Sequence, residues 1–324
     1  MTHNTGNRWS RSRLLLLPPL LAALAVTGVV AASECAETDS QALQWLDKMS
    51  RSLRQVSYEG VVTLQRGGEM QVMQVSHSVD GASSFERMTE LTGQGAQVER
   101  HSHPMDCVHP GDQLLRIGAL LQEGRCGIAE QYRFTVADGE RIAGRNAVNI
   151  RIEPRDMYRF GYSMALDRET GLLLKMQTIS HGNQTLETMQ FAHLTYTDTD
   201  TASPASQVAV IHAAQHPQSG GETTGTSVAR PWKVGWLPRG FAATDSQLGV
   251  SGRRTYTDGL AVFSVFMEEL DREIRPGEGL VRQGGTTTYT RGMRLADQPV
   301  LVTVIGEVPV NTARMVADSV SWEQ

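Results

Sequence analysis

The sequence contains few of the residues and motifs on which enzyme active sites depend. It has three cysteines and nine histidines among 324 residues, and only 6% of its residues are aromatic. Residues 249–252 lack the spacing of a serine nucleophile elbow, and Gly93 with Gly95 lacks the third glycine of a dinucleotide-binding loop. We therefore expect a protein that is not an enzyme and needs no cofactor.

Potential metal ligands are concentrated in one short segment. Four of them lie within nine residues: His101, His103, Cys107 and His109. Pro104 and Pro110 interrupt any regular element there, and the spacing fits no standard zinc or copper site. We expect no metal at this segment.

The chain also has fewer basic residues than acidic ones. The chain has 30 Lys and Arg against 35 Asp and Glu, which gives a net charge of −5. Its first 32 residues hold three arginines and no acid, so their removal changes the charge from −5 to −8. Nucleic-acid binding requires a basic face, so this charge argues against a nucleic-acid partner.

The N-terminus has the composition of a signal peptide. Arg8, Arg11 and Arg13 precede an apolar run over residues 14–30, and small residues up to Ala32 offer a cleavage site. A membrane anchor is the alternative, but the run is shorter than the ~20 residues that a span requires, and two prolines break it. We expect residues 1–32 to be removed and the mature chain to be exported and soluble.

The three cysteines fit an oxidising compartment. Cys107 and Cys126 form a candidate disulfide, which would close a loop of about 20 residues and stabilise the fold by roughly 3 kcal/mol. Two free thiols are the alternative. Cys35 is then left unpaired near the mature N-terminus, where it could cross-link a homodimer.

The mature chain divides into two predicted domains. Residues 201–227 are rich in Thr, Ser, Gly and Ala and poor in periodic apolar residues, which is typical of a linker. This predicts an N-terminal domain over residues 33–200 and a smaller C-terminal domain over residues 228–324.

The N-terminal domain is predicted to contain one helix followed by strands. Apolar residues recur at three- and four-residue intervals over residues 40–55, and Thr38 with Gln41 resembles a capping box. Gly67 and Gly68 predict a hairpin turn. Later strands are predicted at residues 132–136, 147–152, 158–166, 172–180 and 185–196. Such strands must curl to bury one face, so we expect an α+β fold with an antiparallel half-barrel capped by the helix.

The C-terminal domain is predicted to be a smaller α+β unit. Its strands are expected at residues 261–268, 286–291 and 300–308, and a helix at residues 312–321. Ala313, Val316 and Val320 give that helix a narrow apolar stripe that would pack on the sheet.

The most distinctive segment of the C-terminal domain is the loop sequence WLPRGF, which begins at Trp236 and is followed by YTDGL from Tyr256. Aromatic residues and arginine dominate protein interfaces, and Pro with Gly shapes loops that present them. The alternative is that these aromatics fill the core of the domain.

Several blocks of the sequence resemble the RseB/MucB family and occur in the same order. They are RIAGRNAVNIRIEPRDMYRFGYSMALDRETGLLLKM, WLPRGF, YTDGLAVFSVF and VLVTVIGEVPVNTARMVADSV. The resemblance implies a lipoprotein-carrier-like N-terminal fold and a periplasmic negative regulator of the envelope stress response. Such a regulator binds the periplasmic domain of a membrane anti-sigma factor, shields it from proteolysis, and is released by lipopolysaccharide or mislocalised lipoprotein. A periplasmic lipid or lipoprotein carrier without a regulatory role is the alternative.

Two sets of residues follow as candidate sites. We expect the partner contact on the C-terminal domain and its junction with the first, through Trp236, Leu237, Arg239, Phe241, Tyr256 and Asp258. We expect the lipid contact inside the N-terminal domain, through Met70, Met73, Met88, Met164, Met176, Met189, Arg151 and Arg159. Flexible thioethers suit acyl chains of varying shape and arginine suits phosphate, whereas core filling and solvated charges are the alternatives.

Overall fold

The structure is a computed structural model that describes residues 39–80, 83–93, 97–101, 127–197, 231–244, 252–271 and 277–323. The predicted signal peptide, the linker, Cys35 and the Cys107 to Cys126 disulfide lie outside these residues, as do His103 and His109. Within these ranges, no helix combines the length and apolar composition needed to cross a membrane. The same parts of the chain contain no group of three or more His, Cys, Asp or Glu arranged to hold a metal ion.

The N-terminal helix α1 spans Ser40–Gln55, as predicted. Its N-cap is Asp39, whose carboxylate accepts the backbone N–H of Gln41 at 2.8 Å, while Thr38 of the predicted capping box lies outside the described residues. Aspartate is among the strongest N-cap residues because its oxygen satisfies a free N–H of the first turn. The other Asp39 oxygen accepts the N–H of Val136 at 3.3 Å, so the cap also ties the helix to the sheet.

Nine antiparallel strands form the N-terminal sheet: β1 (Tyr58–Arg66), β2 (Glu69–Asp80), β3 (Ser83–Glu90), β4 (Gln97–His101), β5 (Tyr132–Ile142), β6 (Arg145–Pro154), β7 (Gly161–Asp167), β8 (Leu173–Ile179) and β9 (Thr185–Tyr196). Their order is β4-β3-β2-β1-β9-β8-β7-β6-β5, so β4 and β5 are the two edges of the sheet in the part of the chain that the structure describes. The predicted fold class, an antiparallel half-barrel capped by a helix, is confirmed.

Two apolar clusters fill this domain. Helix α1 packs Leu43, Leu46 and Met49 against buried residues of β5, β6 and β7, and the short 3-10 helix Gly127–Glu130 joins the same cluster. The second cluster contains buried side chains of β1, β2 and β9, such as Val62, together with a few from β5–β8, such as Leu174. The helix therefore covers the β5–β7 part of the sheet.

The C-terminal domain contains β10 (Trp232–Val234), β11 (Ala242–Ala243), β12 (Arg253–Thr257), β13 (Val262–Glu269), β14 (Gly277–Gln283), β15 (Thr286–Leu295), β16 (Gln298–Gly306), α2 (Val310–Asp318) and β17 (Val320–Trp322). Six strands pair in the order β11-β12-β13-β16-β15-β14, and β10 pairs separately with β17. Ala313 and Val316 of α2 are buried, as the apolar stripe predicted. The predicted end of this helix at residue 321 is wrong, because the chain leaves the helix to pair with β10.

The link between β6 and β7 also differs from the prediction. Residues 155–160 are not part of a strand, and β7 begins only at Gly161. The Asp156 carboxylate accepts the backbone N–H of Tyr158 at 2.9 Å, which holds the segment in a turn after Pro154. This turn directs Arg159 toward the C-terminal domain, where it makes the contacts described next.

Candidate functional site at the domain junction

Arg159 of the N-terminal domain is fully buried at the junction with the C-terminal domain. Its Nη1 donates to Oδ2 of Asp258 at 2.9 Å, and its Nη2 donates to the carbonyl oxygen of Arg239 at 2.5 Å. Its Nε donates to Oδ1 of Asp156 at 3.2 Å. One guanidinium thus joins two loops of the C-terminal domain to the β6–β7 turn.

Asp258 is equally buried and its carboxylate is fully hydrogen-bonded. Besides Arg159, its Oδ2 accepts the hydroxyl of Tyr132 at 2.9 Å. Its Oδ1 accepts the backbone N–H groups of Leu260 and Ala261 at 3.0 and 2.9 Å. Burial, followed by the negative charge of Asp258, raises the pKa of Tyr132 well above its usual value, so the phenol stays a hydrogen-bond donor. A buried ion pair is stable only with such additional donors.

Aromatic rings surround the guanidinium and close the junction. The ring centres of Phe241 and Tyr132 lie 5.2 and 5.5 Å from the central carbon of Arg159. Trp236 meets Tyr158 edge to face, with ring centres 5.2 Å apart. Cations over aromatic faces gain roughly 0.5–2 kcal/mol, most where water is excluded. The WLPRGF loop is therefore one wall of the junction.

The glycine of this loop allows the two domains to approach closely. Gly240 has φ of +90°, and a Cβ built there would lie 2.7 Å from Cδ of Gln131. Any other residue would have to displace Gln131 and adopt a left-handed conformation. Beside it, Arg239 is 80% exposed and reaches Glu130 at 3.4 Å.

The predicted partner-binding residues are therefore brought together, but they differ in exposure. Arg239 is exposed, and Trp236 and Leu237 are half-buried against the C-terminal core. Phe241 and Tyr256 belong to that core, as the alternative interpretation of the aromatics expected. Those two and Asp258 are closed off in this arrangement of the domains, and their contact with a partner stays a prediction.

Three of the predicted lipid-binding methionines lie side by side across β7, β8 and β9. Met176 is directly opposite Met164 on one side and Met189 on the other. Directly opposed residues of antiparallel strands have their side chains on the same face. Met164 is buried in the cluster under α1, whereas Met176 and Met189 are half-buried.

The same face continues onto β1, β2 and β3 with two more methionines. Leu64 on β1 is opposite Met189 on β9. Val62, two residues earlier, is opposite Met73 on β2, and Met88 is opposite Val75. Side chains alternate along a strand, so all of these share one face. The methionine face is defined here by Met73, Met88, Met164, Met176 and Met189.

The remaining predicted lipid contacts lie apart from the methionine face. Met70 points to the opposite side of β2 and is 62% exposed. Arg151 also points to the opposite side, pairs with Glu153 at 3.1 Å, and lines a shallow cleft of about 210 Å³. Arg159 is committed to the junction. The sequence indicated only that Met70 lies on a strand and that Arg151 and Arg159 belong to a basic group. The strand register decides which face Met70 and Arg151 occupy, and the β6–β7 turn decides the direction of Arg159.

A second contact between the domains lies at the β14–β15 turn and was not foreseen. Gly284 has φ of +59°, and a Cβ there would collide with the Glu187 carboxylate on β9. Glu187 is paired with Arg66 of β1 at 2.7 Å. Burial, and then repulsion by Glu187, raise the pKa of Glu307, although Arg66 partly offsets this. The local signal in the sequence is the pair Gly284-Gly285. It indicates a turn, but it does not indicate which residues the turn contacts.

Replacing Arg159 by Met should lower the free energy of unfolding by roughly 3–5 kcal/mol, because the Asp258 carboxylate would be left buried and unpaired. The matched control is Arg239→Met, which removes an arginine from the same junction that is 80% exposed. Exposed pairs contribute about 0–1 kcal/mol. Urea unfolding would measure both variants, and equal losses would contradict the central role of Arg159.

Replacing Glu307 by Gln should remove an unfavourable contribution to the free energy of folding, which grows with pH as the buried carboxyl group loses its proton. Because the folded protein raises this pKa, the free energy of unfolding should fall as the pH rises from the ordinary value of 4.5 through the folded pKa. We expect the Gln variant to be more stable than wild type near neutral pH, and the difference to shrink toward pH 4.5. Urea unfolding over a pH series measures it, with exposed Glu268→Gln as the control. A difference that does not change with pH would refute the explanation.

Comparison with known families gives two matches that together span both domains. Residues 41–215 match the MucB/RseB N-terminal domain, and residues 226–321 match the MucB/RseB C-terminal domain.

Similar proteins and solved structures agree with these matches. The Pseudomonas aeruginosa protein called "Sigma factor AlgU regulatory protein MucB" is 33% identical, over 96% of this chain and 97% of its own length. The Haemophilus influenzae protein called "Sigma-E factor regulatory protein RseB" is 24% identical, over 94% and 99%. A crystal structure of MucB in complex with MucA(peri) is 29% identical with a TM-score of 0.67, covering 88% of this chain and 99% of that one. MucB alone gives a TM-score of 0.59 at 30% identity with the same coverage. The chain belongs to the MucB/RseB family.

Proposed function

We propose that this chain is a negative regulator of an extracytoplasmic sigma factor that binds the periplasmic domain of a membrane anti-sigma factor. The observation that carries the proposal is the match over both domains to a protein called a sigma factor regulatory protein. A related MucB has been solved in complex with MucA(peri), which supports a protein partner. These relatives are named as regulators and not as enzymes, in agreement with the lack of catalytic motifs in the sequence.

The proposed location is the periplasm. The arginines, the apolar run and the small residues up to Ala32 support export. The complex of a related MucB with MucA(peri) agrees with a periplasmic partner. The boundaries at residues 33–200, 201–227 and 228–324 are part of this proposal, as is the Cys107 to Cys126 disulfide.

The proposed action is protection of the partner from proteolysis, with release by lipopolysaccharide or mislocalised lipoprotein. A ligand that favours the released state weakens partner binding by the ratio of its affinities for the two states. About 1.4 kcal/mol of differential affinity is enough for a tenfold change. Two domains joined by directional polar contacts, rather than by one continuous apolar core, provide an element that a ligand could shift.

The methionine face is the proposed contact for acyl chains. Its members on β2, β3, β8 and β9 are half-buried, and α1 packs on the β5–β7 part of the sheet. Flexible thioethers can adjust to chains of different shape, as rigid branched side chains cannot. Arg151 and Arg159 are not retained as headgroup contacts, because one points away from this face and the other is buried in an ion pair.

The proposed partner contact is the exposed side of the WLPRGF loop. Arg239 projects from it with 80% of its side chain exposed, next to half-buried Trp236 and Leu237. Overlap with solved MucB is higher for complexes with MucA, at TM-scores of 0.67 and 0.66, than for MucB alone, at 0.59. The arrangement of the present chain thus overlaps at least as well with partner-bound MucB as with MucB alone, which supports partner binding without a large rearrangement of the domains.

Calorimetry with the purified mature chain and the periplasmic part of its cognate anti-sigma factor tests the proposal. We expect saturable binding that lipopolysaccharide weakens. Arg239→Glu should weaken binding about tenfold or more, because it reverses a charge at the proposed contact. Lys233→Glu makes the same charge change at an exposed residue of β10 and should bind like wild type. Lipid binding without any partner binding would instead support the carrier function.

Replacing Met189 by Gln should weaken the binding of lipopolysaccharide severalfold, since a polar amide would have to be desolvated against acyl chains. Met70→Gln makes the same change on the opposite face, where the side chain is 62% exposed, and should leave lipid affinity unchanged. Fluorescence titration of both variants measures the difference, after thermal unfolding has shown that both remain folded. Equal affinities would remove the methionine face from the proposal.

A further inference from the structure

The tip of the β14–β15 hairpin packs directly on the N-terminal sheet. Its two residues are glycines, and a Cβ on Gly284 would collide with the carboxylate of Glu187 on β9. A Cβ on Gly285 would lie 3.1 Å from Cγ2 of Thr178 on β8, and Thr178 is buried. Because neither glycine has a side chain, the backbone of the tip can reach both strands.

The tip covers the row of residues next to the methionines. Thr178 lies two residues after Met176 on β8, and Glu187 lies two residues before Met189 on β9. Side chains two positions apart along a strand point to the same face, about 7 Å from each other. Thr178 is also directly opposite Glu187, as Met176 is opposite Met189. The tip therefore closes one end of the methionine face.

This cover extends across several strands of the sheet. Gln283, the last residue of β14, donates from Nε2 to the carboxylate of Glu69 on β2 at 3.4 Å. Arg66 on β1 lies under the tip, since a Cβ on Gly284 would be 3.0 Å from its Cγ. Further along, Leu260 of the C-terminal domain packs against the cluster under α1. An acyl chain that lay along the strands would meet the C-terminal domain at this end of the face.

The attachment of the tip has a weaker physical basis than the junction at Arg159. The tip itself brings no apolar side chain, and the carboxylates of Glu187 and Glu307 lie near the single guanidinium of Arg66. Burial, followed by repulsion from Glu187, raises the pKa of Glu307, so an ionised Glu307 opposes the closed contact. Arg159, in contrast, is fully buried and enclosed by aromatic rings. The tip can therefore separate from the sheet more readily than the junction can.

We propose that Gly284 and Gly285 form a lid on the methionine face, and that this lid lifts before an acyl chain occupies the face. The inference rests on the proposed lipid contact and adds the way in which the ligand gains access to it. When only the open state binds, the apparent affinity is reduced by the fraction of molecules that is open. Locking the lid therefore weakens lipid binding, and loosening it strengthens lipid binding.

A disulfide between the lid and the sheet tests the proposal in one direction. The Cβ position of Gly285 is 3.5 Å from Cβ of Thr178, within the about 3.5–4.5 Å found in disulfides, and the φ of Gly285 lies outside the left-handed region. Thr178→Cys and Gly285→Cys are combined with Cys35→Ser, oxidised, and checked by mass mapping. Fluorescence titration with lipopolysaccharide should show at least tenfold weaker binding by the oxidised form than by the reduced form.

The single variants are the matched controls for this disulfide. Thr178→Cys or Gly285→Cys alone cannot form the bond and should bind lipopolysaccharide at least as tightly as wild type in both redox states. Wild type treated with the same reductant reports any effect of the native cysteines. Calorimetry should show that the oxidised form still binds the periplasmic part of the anti-sigma factor, because the closed arrangement is retained.

A second variant tests the proposal in the opposite direction. Gly284→Ala adds a Cβ that collides with Glu187 and requires a left-handed conformation, so it favours the open lid and should tighten lipopolysaccharide binding severalfold. Gly144→Ala is the control, since Gly144 has φ of +80° and nothing within 4 Å of its Cβ position. This control should bind lipopolysaccharide like wild type. Thermal unfolding checks that both variants remain folded.

Three results would overturn the lid. They are an oxidised form that binds lipopolysaccharide as tightly as the reduced form, a Gly284→Ala variant that binds like Gly144→Ala, and a disulfide that does not form, which would place the tip away from Thr178. A wild-type chain that binds the anti-sigma domain but no lipopolysaccharide would instead remove the lipid contact itself, and the lid with it.

Discussion

The buried ion pair between Arg159 and Asp258 is the interaction on which the arrangement of the two domains depends. Each domain has its own apolar core, and Leu260 of the C-terminal domain also packs against the N-terminal cluster under α1. The buried contacts that fix their orientation are polar and directional, a guanidinium that binds a carboxylate and a carbonyl, with a phenol as a further donor. Trp236 against Tyr158 adds an aromatic contact beside them. Water could satisfy these groups if the domains separated. The desolvation cost of the charges therefore opposes the contact while their geometry favours a single orientation.

Local patterns in the sequence predicted the local structure of this fold well. Helix α1 and strand β9 have the predicted bounds, and the Gly67-Gly68 turn joins β1 to β2, because periodicity and turn residues act over a few positions. Strand β14 was missed because its two glycines and its exposure leave no alternation of apolar and polar residues. The end of α2 was missed because the chain leaves the helix to pair with β10, which lies 86–90 residues earlier.

The candidate sites were predicted less well, for a physical reason. Arg159 and Asp258 are 99 residues apart, and nothing local to either one identifies the other. The aromatics of the WLPRGF loop have the composition of an interface and of a core alike, and only packing separates the two. One error was avoidable, since Met70 and Met73 are three residues apart on one strand and must point to opposite faces.

Among the described residues, the C-terminal domain contacts the N-terminal sheet at two places. One is Tyr132 on β5 with Arg159 in the β6–β7 turn, and the other is the pair formed by Arg66 on β1 and Glu187 on β9. The second place also reaches β8, since a Cβ on Gly285 would lie 3.1 Å from Thr178, so β6 and β7 lie between the two places in the sheet. A body attached at two points of a curved surface acts as a brace, because it fixes the distance between those points. A change in the curvature of the half-barrel therefore requires one of the two contacts to break. The width of the concave face and the attachment of the second domain are thus coupled.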